Sequence, residues 1–405
     1  MKYDFDHAVK RFGTYSMKWD DDAFFKVITP NLRLDGETIR LNLADMDFRC
    51  APAIARAMHR VADFENYGYT TVTSAPEYKP AIIGWYRRRH GVEVRPEWII
   101  HSNGALDGVQ QTILAFSQPG NGVILCRPIY RNFTNVIEGT GRHVANCQMI
   151  DSGDGHYEMD WEGLEQACAR PENKVFVLCS PQNPVGRVWT REELARIAKL
   201  CRDNQVVVVS DEIHSDIIRK GVKHTPIIEA VEDRSNLIMV SGVNKTFNLM
   251  GLHCAYSIIP DDALRKQFQA GYETPMPTAF ALAGMIAAYN ESEDWVDELN
   301  AYLDDTIAAV VDAIREKLPK VKAYIPEGSY VLWLDFAGYG YDPSLLMELI
   351  NHRANVALQR GTAHDPDQGG VFMRLCVTCP KATVLEAVDR MAKAFKEYES
   401  EQSKK

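Results

Sequence analysis

Lys245, Asp211, Asn183 and Tyr130 each follow a short apolar run, and together they supply an amine, a carboxylate, an amide and an aromatic ring. A lysine amine can bond to a carbonyl carbon and, once freed, act as a base. A carboxylate beside a ring nitrogen favours the protonated, electron-withdrawing ring. The amide can donate a hydrogen bond and the aromatic ring can stack on a planar group. Singly, each residue has a plainer reading. Asn183-Pro184 marks a turn, an aspartate closing a strand caps a helix, and a lysine is usually a solvated charge. Gathered in one crevice, they are the set that pyridoxal phosphate requires: an attachment lysine, an acid on the pyridine nitrogen and a cradle for phosphate.

Gathering them depends on the elements that carry them. Val123–Cys126, Val175–Leu178, Val206–Val209 and Leu237–Val240 are apolar at every position, as in strands of a parallel sheet covered on both faces. Between the second and third runs, Thr190 and Glu193 form a capping box ahead of the stripe Leu194, Ile197, Ala198 and Cys201. This is a βαβ unit, and a succession of them predicts an α/β domain with a mostly parallel sheet over residues 50–290. Ligands of such sheets sit beyond the strand ends. Tyr330–Phe336 and Phe372–Val377 read as further strands, and Lys381–Tyr398 as a helix with Val384, Val388, Met391 and Phe395 on one face. Residues 291–405 are therefore expected to form a smaller α+β domain, with residues 1–49 folded against it.

With these elements in place, the chain resembles a fold-type I pyridoxal-phosphate enzyme of the class I/II aminotransferase superfamily, with an aspartate aminotransferase-like fold. Within that superfamily it is most similar to the cystathionine β-lyase/cystalysin-like C–S lyases. The motifs that carry the resemblance are Leu43-Ala44-Asp45-Met46-Asp47-Phe48, Tyr67-Gly68-Tyr69-Thr70, Asn183-Pro184-Val185-Gly186-Arg187-Val188-Trp189, Ser210-Asp211-Glu212-Ile213-His214 and Lys245-Thr246-Phe247-Asn248. Pro326-Glu327-Gly328-Ser329-Tyr330 and Trp333-Leu334-Asp335-Phe336 extend it to nearly the whole chain.

The resemblance implies specific roles. Lys245 holds the cofactor and then takes the Cα proton, Asp211 keeps the pyridine nitrogen protonated, and Tyr130 stacks on the ring. Asn183 bonds the ring's 3-oxygen, with His214 nearby. Gly104 and Ala105 offer backbone N–H groups to the phosphate at a helix start. Asn244, where relatives usually carry serine, also faces the phosphate. Tyr69 reaches a neighbouring subunit's phosphate, which implies a homodimer with composite sites. Arg374 clamps the substrate carboxylate through its planar fork, with Asn183 and Ala44 completing the substrate site. The implied reaction is α,β-elimination of a thiol or sulfide from cystathionine- or cysteine-type amino acids, leaving pyruvate and ammonia. Two alternatives use the same fold, an aminotransferase and a non-catalytic regulator.

Departures from the family pattern cluster around the expected pocket. Asp107 stands in the phosphate loop, Arg131 replaces a second tyrosine, Gln182 replaces a histidine and Cys376 replaces an asparagine. Gly361–Asp365 replaces an aromatic-glycine loop, and Arg131 and His364 become candidates for recognising an additional acidic group.

Composition narrows the class further. The net charge of −10, without a basic block, argues against nucleic-acid or anionic-membrane binding. No run of 18 apolar residues is present, and the charged start MKYDFDHAVKRFG does not read as a signal peptide. Nine dispersed cysteines fit reduced thiols in a cytoplasmic protein. There is no Walker loop, dinucleotide fingerprint or H-E-x-x-H, so Asp211-Glu212-Ile213-His214 is not a helicase box. The lone Cys376-x-x-Cys379 lacks the second pair that a zinc site needs.

Overall fold

A computed structural model describes residues 1–9, 11–29 and 32–404. Its centre is a seven-stranded sheet made of β1 (Ile99–Ser102), β2 (Gly122–Leu125), β3 (His143–Asn146), β4 (Asn173–Cys179), β5 (Val207–Asp211), β6 (Leu237–Gly242) and β7 (Ala255–Ile258), in the order β1-β7-β6-β5-β4-β2-β3. All four apolar runs picked out in the sequence are strands of this sheet. From β6 to β3 every pairing is parallel, whereas β7 is antiparallel to both β6 and β1. β1, β3 and β7 lie outside the four apolar runs. In β7 the order Ala255-Tyr256-Ser257-Ile258 alternates small and large side chains and produces no apolar run.

Helices cover the sheet. They include α1 (Ala105–Phe116), α2 (Arg131–Gly139), α3 (Arg191–Asp203) and the single turn α4 (Val243–Thr246). The α3 start is a true capping box: Thr190 accepts from Glu193 N–H while the Glu193 side chain accepts from Thr190 N–H. Its Leu194, Ile197, Ala198 and Cys201 are wholly buried. Burying Leu194 and Ile197 contributes ~1.5–3 kcal/mol each, which is what docks an otherwise polar helix.

The C-terminal part packs α5 (Glu293–Lys317) and α6 (Lys381–Gln402) beside an antiparallel sheet of β8 (Val331–Asp335), β9 (Gln359–Arg360) and β10 (Phe372–Cys376), ordered β8-β10-β9. Val384, Val388, Met391 and Phe395 form the buried face of α6. The N-terminal segment is tied to this part: Ile39 and Arg40 pair in parallel with Val356 and Ala357, and Phe5 packs edge-on against Trp295.

Among the described residues no helix is long and apolar enough to cross a membrane. All nine cysteines are free, and burial raises the Cys376 thiol and pushes the Cys379 thiol up to about 12. Both stay protonated near neutrality, a poor state for metal ligation.

Candidate active site

The carboxyl ends of β4, β5 and β6 deliver three residues to one place. Asp211 closes β5, opposite Cys179 of β4 and Val240 of β6. β6 runs straight into α4, so Lys245 emerges one turn beyond the sheet edge. After β4 the chain folds through Ser180–Arg187, where Gly186 takes φ +74. A Cβ there would lie 2.2 Å from Pro326 Cβ, so only glycine permits the turn that presents Asn183.

Lys245 Nζ donates to the Ala44 carbonyl at 2.7 Å. Burial, reinforced by the Arg374 charge, lowers its pKa to about 8. Asp211 is buried, and desolvation raises its carboxyl to about 7 against the opposing pull of the Ile213 N–H, which donates to it at 3.0 Å. His214 is buried with Nδ1 at 3.1 Å from Ser329 Oγ. Burial, then the Lys245 and Arg374 charges, hold it far below its usual range, so it is neutral.

From the small sheet, Arg374 of β10 reaches back into the same cluster. Its Nη1 donates to Asn183 Oδ1 at 3.3 Å and its Nη2 to the Asn42 carbonyl at 2.9 Å. The guanidinium is 3 % exposed and has no carboxylate partner among the described residues, and its buried Nε is unsatisfied. Tyr130, at the start of α2, is half-buried and accepts a hydrogen bond from Asn132 Nδ2 at 2.6 Å. The structure thus brings Lys245, Asp211, Asn183, His214, Arg374, Tyr130 and Ala44 together. Tyr69 stands apart, 97 % exposed on the surface.

The set suits pyridoxal phosphate on three counts. Asp211 is a buried carboxyl with no cation at ion-pair distance among the described residues, which a protonated ring nitrogen would correct. Arg374 keeps unsatisfied donors for a carboxylate. At the start of α1, Gly104 has no capping side chain, and a Cβ there would meet nothing within 4 Å. The backbone N–H groups of Gly104 and Ala105 at such a helix start could accept a phosphate as hydrogen-bond partner. Asp107 does not spoil this loop, because its Oδ2 is taken by Asn103 N–H at 3.1 Å and Tyr272 Oη at 2.9 Å. Asn244 is buried with Oδ1 unpartnered among the described residues.

The aminotransferase class I and II family model matches residues 37–391. The chain belongs to this family. It is 36 % identical to cystathionine beta-lyase PatB of Bacillus subtilis (strain 168) over 395 residues, 96 % of this chain and 99 % of the relative. It is 30 % identical to Protein MalY of Escherichia coli (strain K12), over 97 % of this chain and 99 % of that protein. Cystalysin from Treponema denticola, solved with a pyridoxal 5′-phosphate cofactor, superposes with a TM-score of 0.91 at 30 % identity, covering 98 % of this chain and all (100 %) of that one.

Several contributors to the site were not identified from the sequence. Tyr330 Oη donates to the same Ala44 carbonyl as Lys245, at 3.2 Å. Arg11 grips Asp45 through Nη2 at 2.8 Å, and Lys18 pairs with Asp47 at 2.8 Å. The two acids of the Leu43–Phe48 motif therefore anchor the N-terminal segment rather than face a ligand. Nothing in the polar stretch around Arg11 and Lys18 announces this pairing. Arg187 likewise serves as a strut, bridging Glu193 at 2.8 Å and Glu327 at 3.1 Å. Gln182, the substituted position, donates to the Cys126 and Pro128 carbonyls at 2.8 and 2.9 Å and holds the chain ahead of Tyr130.

Proposed function

We propose that this protein is a pyridoxal-phosphate-dependent carbon–sulfur β-lyase that cleaves cystathionine- or cysteine-type amino acids to a thiol or sulfide, pyruvate and ammonia. Full-length likeness to an enzyme named cystathionine beta-lyase, at 36 % identity, is the observation that carries the reaction type. The buried cluster supports the assignment of roles. When bound, the cofactor supplies an electron sink for the pair left by a departing Cα proton.

Lys245 would attach the cofactor and, as a free amine, would receive the Cα proton. A pKa near 8 suits a base that must give the proton up again near neutrality. Bound, the cofactor would be held by Asp211 at its ring nitrogen, by Asn183 at its 3-oxygen, by Tyr130 and His214 beside the ring, and by Gly104, Ala105 and Asn244 at its phosphate. Arg374 fixes the substrate carboxylate, with Asn183 and Ala44 beside it, and so aligns the Cα–H bond toward Lys245. Loss of that proton lets the Cβ–S bonding pair leave on sulfur, and water converts the released unsaturated amine to pyruvate and ammonia.

Residues 50–290 form the cofactor domain in this reading, with residues 291–405 and 1–49 closing the substrate side. The active form is a homodimer in the cytoplasm. Tyr69 at 97 %, Phe64 at 78 % and Tyr67 at 62 % exposure are costly on a monomer and support an interface through which Tyr69 meets the partner's phosphate.

The test is pyruvate release from L-cystathionine or L-cysteine without a keto-acid acceptor, alongside the visible absorbance of the bound cofactor. Both are expected in the wild type and lost in Lys245→Ala. Turnover only when a keto acid is supplied would make the protein an aminotransferase. A protein that turns over no amino acid would be a regulator.

A further inference from the structure

Lys245 stands on α4, a helix of one turn, and a single turn has too few backbone hydrogen bonds to hold its own orientation. Its side chains must set it. A helical threonine can return its hydroxyl to the carbonyl one turn back, but Thr246 Oγ1 donates to Asp216 Oδ2 at 2.9 Å. Asp216 lies in the segment after β5, with its side chain 4 % exposed. Among the described residues, two further side chains donate to its carboxylate, both from the helix Tyr78–His90. Trp85 Nε1 is shared between the two oxygens at 3.2 Å, and His90 Nε2–H reaches Oδ1 at 3.1 Å. The Asp216 carbonyl accepts from Asn300 Nδ2 of α5 at 2.8 Å. Desolvation, the largest influence, would raise the carboxyl. The His90 bond, the Arg89 charge and the Thr246 bond outweigh it and hold Asp216 below the usual carboxylate range, so it is ionised.

A second buried acid stands behind the other catalytic strand end. Glu212, next to Asp211, is bonded to His224 Nε2 at 2.9 Å, to Ser210 Oγ at 3.0 Å and to the Ile227 N–H at 2.9 Å. The His90 and His224 rings meet edge-on with centroids 5.8 Å apart, so His90 has a fixed seat. Asp216 is therefore held on the far side by the helix Tyr78–His90 and by α5, and its remaining bond leads to α4. The residue after Thr246, Phe247, is wholly buried and stacks on Trp295 with centroids 5.9 Å apart. Apolar contacts of this kind are not directional, whereas a hydrogen bond restrains rotation. The Lys245–Ala44 bond must break whenever the amine reacts, but the Thr246–Asp216 bond is untouched by that.

We propose that Asp216 is a positioning residue for the reaction: through Thr246 it fixes the rotation of α4 and so aims the Lys245 amine. The inference rests on the lyase reading, in which Lys245 attaches the cofactor and receives the Cα proton, and deepens it. The leverage is large. The amine of an extended lysine lies roughly 8 Å from its helix axis, so a rotation of about 10° carries it about 1.4 Å. A misplacement of about 1 Å is enough to cost on the order of a hundredfold in rate.

The deciding experiment compares Thr246→Val, which exchanges the hydroxyl for a methyl of similar size, with Thr246→Ser, which keeps the hydroxyl. With L-cystathionine and the holoenzyme, Thr246→Val should lose about tenfold or more in kcat while KM stays within about twofold, because Arg374 is untouched. Uptake of pyridoxal phosphate by the cofactor-free protein, followed by visible absorbance, should slow by about tenfold as well. Thr246→Ser should restore both rates to within about twofold of the wild type, whereas Asp216→Asn should repeat the losses of the valine variant. If Thr246→Val does not fold, Asp216→Asn against Thr246→Ser decides by the same two assays. Wild-type rates in Thr246→Val or Asp216→Asn, a serine variant as impaired as the valine, or a loss carried by KM would overturn the role of Asp216 and leave the lyase reading intact. A wild type that takes up no cofactor and releases no pyruvate would end the lyase reading, and this inference with it.

Discussion

Asn248 and Met46 hold each other through two hydrogen bonds: Met46 N–H donates to Asn248 Oδ1, and Asn248 Nδ2 donates to the Met46 carbonyl, each at 2.9 Å. The pair staples the loop after Lys245 to the loop carrying Ala44, and so supports the 2.7 Å contact between those two residues. Asn248 sits at φ +58, a conformation that asparagine and glycine tolerate best.

Asn248→Gly keeps that backbone and loses only the two hydrogen bonds, at about 1 kcal/mol each. Asn248→Ala adds left-handed strain of roughly 1 kcal/mol. Urea denaturation should rank stability as wild type, then Gly, then Ala. Equal stability of all three would mean the staple is dispensable.

Lys245 titrates near 8 rather than at its ordinary 10.5 because burial and Arg374 disfavour its charge. Only the neutral amine reacts, so uptake of pyridoxal phosphate by the cofactor-free protein should accelerate as pH rises through about 8 and then level off. Arg374→Gln removes a like charge and should shift the midpoint upward. Stopped-flow absorbance across pH 6.5–10 (roughly the range that brackets this pKa) reads both.

Asp211 has a folded-state pKa of about 7 against an ordinary 3.8. Between those values the folded chain binds the extra proton. The cofactor-free protein therefore loses stability as pH rises from about 4 through 7, by on the order of a few kcal/mol. Asp211→Asn should flatten that decline in melting temperature. With cofactor present, the same variant should lose at least about a hundredfold in kcat, having no charge to offer the ring nitrogen. Calorimetry from pH 5 to 8 (roughly spanning the titration) with pyruvate assays checks the opposed effects.

Arg374→Lys preserves charge but not the planar fork, and it empties the bonds to Asn183 and Asn42. A rise in KM of about 10- to 100-fold is expected, with kcat falling less, because the clamp acts on bound substrate before and during proton removal. A normal KM would remove Arg374 from the substrate site.

Much of this was legible in the sequence because it is local. The parallel strands appear as unbroken apolar runs, and the Thr190–Glu193 cap is complete within four residues. Lys245, Asp211 and Asn183 sit in motifs that follow their strands directly. The α/β class was therefore readable from the order of residues, since a strand–loop–helix repeat leaves few ways to arrange them, while the site roles came from the family resemblance those motifs carry.

Other features depend on encounters between residues far apart in the chain. Asp45 and Asp47 belong to a motif of the family resemblance, but nothing local shows that Arg11 and Lys18 fold onto them. His364 looks like an anion ligand, but Ile129 and Gln359 occupy both of its nitrogens and burial keeps it neutral. Arg131 and Arg360, which no motif connects, line one cavity. Residue order determines which groups are available. Only the tertiary structure decides which of them are desolvated, paired or left with free donors, because burial and partner distance set each group's charge and reach.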